Sequence, residues 1–412
     1  MTNVPYFRPE IGQAEIDEVV DTLKSGWLTT GRKTQQFEAE LARFVGAKYA
    51  VALNSATAAL HLALEALGLR AGDVVLVPAM TFAATAEVVR YFGAFPLLVD
   101  CDRRTTNMDL GDARAKIERL RAGGVRGAAA DAPLVGIIPV HVGGFMMDMD
   151  EVNAFARELG LWVVEDAAHA LPSAWRRDAS SPWIMCGSGT ADVTCFSFYA
   201  NKTITTGEGG MAVTMRQELA DRMRLMSLHG LSHDAWKRFS GGKTWDYRIV
   251  APGFKYNLTD VAASIGIHQL ARAEEMRVGR ENVARRYFEA FANVDEIELP
   301  ADDANRLHSW HLFPIRLRLD RLTIDRNRFM DELKDRGVGC SVHWRPLHLH
   351  PYYEETFGWS AEDCPVASQE WVRLVSLPLF SAMTDEEFDR VVAAVRDLCA
   401  TYGKVAAGAA RA

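Results

Sequence analysis

The stretch 192–214, DVTCFSFYANKTITTGEGGMAVT, holds two apolar, β-branched and aromatic runs on either side of a polar turn, with one lysine, Lys202, in the middle of that turn. The two runs read as buried strands. A lysine held between them and followed by TTGEGG is poorly placed for solvation and well placed to carry a covalent carbonyl adduct in a pocket. A lone lysine in a turn is otherwise an ordinary surface residue, so the neighbouring stretches decide between the two readings.

Upstream, the strand KYAVAL (48–53) leads into NSATAALHLALEAL, where Ala56, Ala59, Leu60, Ala63, Leu64 and Leu67 form one apolar stripe of a helix. The helix start, Asn54 to Thr57, offers small residues, hydroxyls and free backbone N–H groups. That is the composition of a phosphate seat, with a plain N-cap as the alternative. From there the strands DVVLVPAM (73–80), FPLLVD (95–100), PLVGIIPVHV (133–142) and LWVVED (161–166) alternate with helices. The pattern predicts an α/β fold with a mostly parallel sheet covered on both faces. Ligands of such sheets lie at the carboxyl ends of the strands, and His141, Asp166 and His169 fall just past such ends.

Together these residues suit pyridoxal phosphate (PLP), with Lys202 as its Schiff-base lysine. The ring nitrogen of that cofactor stays protonated only beside a carboxylate, and Asp166 at the end of an apolar strand is placed to supply one. A buried aspartate with no cationic partner would be costly, so a ligand carrying the partner explains its position. His169 either meets the ring or is a satisfied core histidine. Phe82, in PAMTFAAT, either covers the cofactor or packs in the core. Ser197, five residues before Lys202, offers the phosphate a hydroxyl.

Near the N-terminus Ile16, Val19, Val20 and Leu23 recur at helical spacing, and Gly26 ends that helix. GWLTTGRKTQQFEAEL then reads as an exposed turn entering a second helix. The segment 173–189, rich in Ser, Gly and Arg, reads as a surface loop. One long helix is expected from the end of GFKYNLTD to about Ala292. Shorter units follow: strands in HLFPIRLRL, CSVHW and VRLVSLPL, a helix around Arg326 to Arg336, and a last helix from Asp385. The expected organisation is a large domain over 1–292, a smaller α+β domain over 293–405 and a frayed tail over 406–412. His343, His348 and His350 invite a zinc reading, but no carboxylate or cysteine lies at ligand spacing. No metal is expected, and the segment reads as a substrate-facing loop or plain surface.

Composition narrows the class. In 412 residues, 46 Lys and Arg stand against 54 Asp and Glu, a net charge of −8 that offers no basic face for a nucleic acid. No apolar run approaches the ~20 residues of a membrane helix, and no secretory signal opens the chain. The six cysteines form no C-x-x-C pair and suit a reduced, cytoplasmic protein.

Several motifs coincide: GWLTTG (26–31), NSATAAL (54–60), PAMTFAAT (78–85), EDAAHA (165–170), SFYANKTITTGEGG (197–210), GFKYNLTD (253–260) and SLPLF (376–380). In combination they resemble the sugar aminotransferases of the DegT/DnrJ/StrS type, fold type I PLP enzymes, over nearly the whole chain. The resemblance implies a seven-stranded, mostly parallel sheet. It implies that Lys202 holds the cofactor as an imine and shuttles the proton, that Asp166 binds the pyridine nitrogen, and that His169 and Phe82 lie against the ring. Ser55, Ala56, Thr57 and Ser197 would hold the phosphate, and Asn257 would reach it from a second subunit, making a homodimer with shared active sites.

The resemblance further implies that L-glutamate gives its amino group, through pyridoxamine phosphate, to C4 of a nucleotide-linked 4-keto hexose, commonly a 6-deoxy sugar. The setting would be amino sugar and polysaccharide biosynthesis. Acceptor contacts are expected from the loops of Thr30, Trp245, Tyr256 and His343. A cyclitol ketone, sugar C3, and a regulatory homologue without chemistry remain alternatives; the dehydratase branch carries histidine where Lys202 stands. Two features depart from the family pattern: Arg32 stands where proline is common, and the loop 180–189 is longer than usual.

Overall fold

The computed structural model describes residues 3–231 and 248–404. Seven strands build the main sheet: β1 (Tyr49–Leu53), β2 (Val74–Pro78), β3 (Phe95–Val99), β4 (Leu134–Ile137), β5 (Trp162–Asp166), β6 (Val193–Ser197) and β7 (Gly210–Thr214). Their spatial order is β1-β7-β6-β5-β4-β2-β3. β2 runs parallel to β3 and β4, β4 to β5, and β5 to β6, whereas β7 runs antiparallel to both β6 and β1. Only β7 therefore opposes the common direction. It follows β6 through a loop with no helix, and a strand that returns without a crossover must run antiparallel. Lys202 sits in that returning loop.

Helices cover the sheet: α1 (Gln13–Ser25), α2 (Arg32–Val45), α3 (Ala56–Ala66), α4 (Ala84–Tyr91), α5 (Leu110–Arg121), α6 (Met149–Leu159) and α7 (Gln217–Met226). β2, β3, β6 and β7 are buried along their whole length, as strands sandwiched between helix layers must be. The stripe Ile16, Val20 and Leu23 does form one face of α1, but this face is exposed, and the helix buries Glu15 and Thr22 instead.

The expected single helix up to Ala292 is two helices, α8 (Asp260–Ala271) and α9 (Ala273–Phe291), divided at Arg272 with φ −104° and ψ 7°. The chain changes cores later, within α9, whose Ala273 and Met276 still pack in the core of the main sheet. α8 packs against α1 and α2, while Val283, Ala284, Tyr287 and Phe291 of α9 enter a second hydrophobic core. That core is closed by the antiparallel strands β8 (Ile297–Glu298), β9 (Phe313–Leu317) and β10 (Leu374–Leu377), by α10 (Arg326–Asp335) and α13 (Asp385–Tyr402), and by Val4 from the start of the chain. Between β9 and β10 the chain returns to the first core through α11 (Pro351–Phe357) and α12 (Pro365–Trp371).

Two further expectations are corrected. CSVHW forms no strand: Ser341 makes a single bridge to Ser376 before the chain turns away. The segment 173–189 is not wholly a surface loop. Ala174–Trp175 and Ile184–Met185 pair as a short ribbon, joined by Arg306–Leu307, because Ala174 and Trp175 are buried and draw the segment inwards.

The GWLTTG turn and the NLTD segment form one knot. Asp260 accepts from the N–H groups of Gly31 (2.7 Å), Thr34 (3.0 Å) and Lys33 (3.2 Å) and from the Thr34 hydroxyl (2.7 Å), which caps α2 from another helix. A Cβ on Gly31 would lie 2.6 Å from Asp260 Oδ2, so only glycine fits the approach. Replacing Asp260 with alanine strands these donors, and Asp260→Ala is expected to lose about 2–4 kcal/mol in urea unfolding, with Asp260→Asn losing less.

Candidate active site

A cavity of about 560 Å³ opens at the carboxyl ends of the parallel strands. Ser55, Ala56, Thr57, Phe82, Asp166, His169, Ser197 and Lys202 all line it, so eight of the nine residues expected around the cofactor meet in one place. The ninth, Asn257, does not line it; its amide donates to Thr30 Oγ1 at 2.7 Å. Of the three described residues expected to contact the acceptor, only His343 lines the cavity. Thr30 gives its hydroxyl proton to Leu258 O, Tyr256 meets His61 Nδ1 at 3.1 Å, and Trp245 lies outside the described residues.

The start of α3 forms the anion seat. Ser55 is the N-cap and accepts from Ala58 N (3.0 Å), which leaves the Ala56 and Thr57 N–H groups at the helix mouth facing the cavity. Gly210 lies against this mouth: a Cβ there would fall 2.4 Å from Ala56 N. The last glycine of GEGG is thus needed for β7 to pass the helix start.

The loop carrying Lys202 is braced by the threonines that follow it. Thr205 Oγ1 donates to Phe198 O (2.9 Å) and accepts from Gly207 N (2.9 Å), while Thr206 N donates to Phe198 O (3.0 Å). Burial pulls the Lys202 amine down to about 7, against the opposing pull of Asp166. At neutral pH a large share of this amine is unprotonated and nucleophilic.

Asp166 ends β5. Its carboxylate accepts from Thr85 Oγ1 (2.7 Å) and Ala168 N (3.2 Å), and burial raises its pKa above the usual carboxylate value despite these bonds. Glu165, its neighbour, points to the other face of the sheet and accepts from Thr190 (2.9 Å) and Thr194, with His141 Nε2 at 3.6 Å.

His169 accepts the Gly143 N–H at Nδ1 (3.2 Å), and burial holds its pKa well below the usual histidine value. The neutral ring therefore carries its proton on Nε2. Trp344 stacks on it with centroids 5.1 Å apart, and His311 lies at 4.1 Å. Arg280, buried in α9, donates to Trp310 O (3.2 Å) and Leu379 O (3.1 Å) and so holds the segment that carries His311.

His343 Nδ1 lies 2.8 Å from Ser376 Oγ, and burial pulls its pKa down to about 4. His348 turns instead to Ser368 Oγ (2.7 Å) and His350 to Arg345 O (3.2 Å), so the three histidines have three separate partners.

Sequence reasoning passed over Thr81, Thr85, His311 and Trp344. The i, i+4 threonines of TFAAT were a local sign, since that spacing puts both on one face of a helical turn. His311 and Trp344 had none, because they reach His169 from distant parts of the chain.

A family model described as the DegT/DnrJ/EryC1/StrS aminotransferase family matches residues 9–396. The uncharacterised protein MJ1066 of Methanocaldococcus jannaschii is 45% identical over 397 residues, covering 96% of this chain and 97% of that protein. The spore coat polysaccharide biosynthesis protein SpsC of Bacillus subtilis is 43% identical over 396 residues, covering 96% and 97%. Among solved structures, the putative sugar aminotransferase Spr1654 from Streptococcus pneumoniae in its PMP form superposes with a TM-score of 0.84 at 33% identity, covering 97% of this chain and 100% of that one. Its PLP form gives a TM-score of 0.83 at 32% identity, covering 97% and 99%.

The depressed pKa of Lys202 has a testable sign. Labelling of Lys202 by trinitrobenzenesulfonate, followed by peptide mass spectrometry, is expected to rise with pH and be half-maximal near pH 7. Exposed lysines titrate near pH 10, and a Lys202 profile that followed theirs would contradict the assignment.

Proposed function

The chain belongs to the DegT/DnrJ/EryC1/StrS aminotransferase family, and from that premise we propose that it moves an amino group from L-glutamate to the C4 keto group of a nucleotide-linked 4-keto hexose, commonly a 6-deoxy sugar. It is a PLP-dependent sugar aminotransferase. The observation that carries the residue roles is the meeting, in one cavity, of the Lys202 amine, the buried Asp166 carboxylate and the open mouth of α3.

These groups fit the cofactor: the helix mouth takes the phosphate, and the ring nitrogen supplies a direct cationic partner for the buried Asp166 carboxylate. Bound there, PLP supplies the carbonyl that receives the amino group and the ring that withdraws electrons. Lys202 Nζ anchors the cofactor, then takes the proton from Cα of the amino donor and returns it on the cofactor side. Asp166 keeps the ring nitrogen protonated. Ser55 and Ser197 add hydroxyls to the Ala56 and Thr57 N–H groups around the phosphate. His169 lies against one side of the ring, and Phe82, 63% exposed on the single chain, closes the cavity rim.

A homodimer completes the site in this reading. Ile11 just before α1, Ile16, Val20 and Leu23 on it, and Trp27 and Leu28 in the turn after it are all exposed, and such a row is the kind of face a second copy covers. Asn257, placed off the cavity of its own chain, would serve the partner's phosphate site by giving up its bond to Thr30 Oγ1. His343 is the acceptor contact that lines the cavity in the same chain. The likeness to a spore coat polysaccharide biosynthesis protein supports a place in polysaccharide assembly.

The test is the absorbance spectrum of the purified protein with PLP. L-Glutamate alone should bleach the visible band as oxoglutarate appears, and a nucleotide 4-keto sugar should then restore it. A cyclitol ketone or a 3-keto sugar restoring the band in preference to every 4-keto sugar would replace the acceptor assignment. Lys202→Ala is expected to fold and to lose turnover by at least about a thousandfold; full activity in that variant would refute the role of Lys202.

Sedimentation should give a dimer for the wild type, and Leu23→Arg should shift it towards monomer. A wild-type protein that stays monomeric while fully active would remove the shared site.

A further inference from the structure

Thr81 and Thr85 flank Phe82 in the PAMTFAAT motif, and none of the roles given above uses them. Both are buried, at 2% and 0% exposure. The turn between them is helical, with Thr85 N bonded to Phe82 O (3.3 Å), so the two hydroxyls fall on one side and meet at 2.7 Å. Thr85 Oγ1 is also 2.7 Å from Asp166 Oδ2. A carboxylate only accepts, so the single proton of the Thr85 hydroxyl goes to Asp166. Thr85 Oγ1 is then left as an acceptor, and the proton of Thr81 points to it. The order of donation is Thr81 to Thr85 to Asp166, a polarised chain in which each bond strengthens the next. Thr81 also lines the cavity, so the chain runs from the cofactor's side of the pocket into the carboxylate.

We propose that Thr85, held by Thr81, is a positioning residue that orients the Asp166 carboxylate toward the cofactor's ring nitrogen and keeps it charged. The proposal rests on the reading of Asp166 as the ring-nitrogen partner. Among the described side chains, geometry gives Thr85 this part alone: the other bond to the carboxylate is the backbone N–H of Ala168, on Oδ1 (3.2 Å). With Oδ1 and Oδ2 each tied, the carboxylate has one orientation. Its remaining lone pairs are left for the ring N–H. Burial raises the pKa of Asp166 and the Thr85 bond is the first influence opposing it, in line with the same role. The titratable groups that act on Asp166 are Lys202 and His141, with the Cys195 thiol acted on by it in turn; all three stay unchanged in the Thr81 and Thr85 variants below.

The experiment compares wild type, Thr85→Val, Thr85→Ser, Thr81→Val and Asp166→Asn as full-length proteins. Two quantities are read: the PLP dissociation constant, and the pH midpoint of the visible absorbance of the holoprotein. Melting temperatures of the apoproteins report folding separately. Thr85→Val keeps the shape and removes the hydroxyl. It should weaken PLP binding by about tenfold or more, the effect of losing one hydrogen bond to a charged group, and move the pH midpoint. Thr85→Ser should return both values to near wild type, and Thr81→Val should shift them in the same direction by less. Unchanged values in Thr85→Val overturn the proposal, as does a serine variant as impaired as valine, which would assign the effect to the methyl group. If Thr85→Val does not fold, Thr85→Ser and Thr81→Val decide, with no shift in Thr81→Val counting against the relay. Asp166→Asn separates the two readings. A shift there without one in Thr85→Val removes the relay alone, and no shift there removes the role of Asp166 and the relay with it.

Discussion

A carboxylate withdrawn from water has to find its hydrogen bonds inside the protein, and Asp166 imposes that condition on everything around it. Its backbone is held on both sides: Asp166 N donates to Pro139 O (2.9 Å), and β5 pairs with β6 opposite Cys195. Its side chain takes the Thr85 hydroxyl from α4 and the Ala168 N–H from the turn after β5. Three separate connections, after β2, after β4 and after β5, are therefore drawn to one point at the strand ends. The parallel sheet is the frame that brings them there, because each strand delivers its following loop to the same edge.

The opposite wall of the cavity obeys a steric constraint. The returning loop after β6 has to carry Lys202 over the pocket and bring β7 back past the start of α3. Gly210 permits the close pass, the Thr205 hydroxyl and the Thr206 N–H both bond Phe198 O, and the Thr205 N–H reaches Gln269 Oε1 on α8 (3.2 Å), so the loop's backbone is satisfied. The result is a short, braced platform whose amine is desolvated enough to begin losing its proton near pH 7. A similar economy holds the outer rim, where Asp260 ties the end of the GWLTTG turn and the start of α2 to α8 through four bonds at once.

Much of this was legible in the chain. Alternating apolar runs and amphipathic stretches gave the α/β layers and the mostly parallel sheet. The turn residues of TTGEGG and SAT marked the ends where polar backbone would face a ligand. Eight of the nine residues expected around the cofactor line one cavity because motif residues sit at strand and helix ends, and the sheet geometry sends those ends to one edge. The misses are of another kind. CSVHW has strand composition but only a single bridge, since His343 leaves the sheet for Ser376 Oγ and the cavity. The helix before Ala292 breaks at Arg272, and farther on, between Met276 and Val283, α9 passes from one core to the other, a fact of assembly that no periodicity records.

By itself the sequence determined the layers, the direction of the strands, the chemical character of the pocket and the lysine at its centre, since all of these follow from short-range pattern and from which groups tolerate burial. Tertiary structure alone decided which side chains complete the pocket. Thr85 reaches Asp166 across 81 residues, and Trp344 and His311 close on His169 from the far half of the chain. It also decided that the apolar stripe of α1 faces outward while Glu15 turns inward to Gln269 (2.7 Å). Local spacing tells which residues share a face; only the packing of distant elements, each with its own hydrogen bonds to satisfy, tells what that face meets.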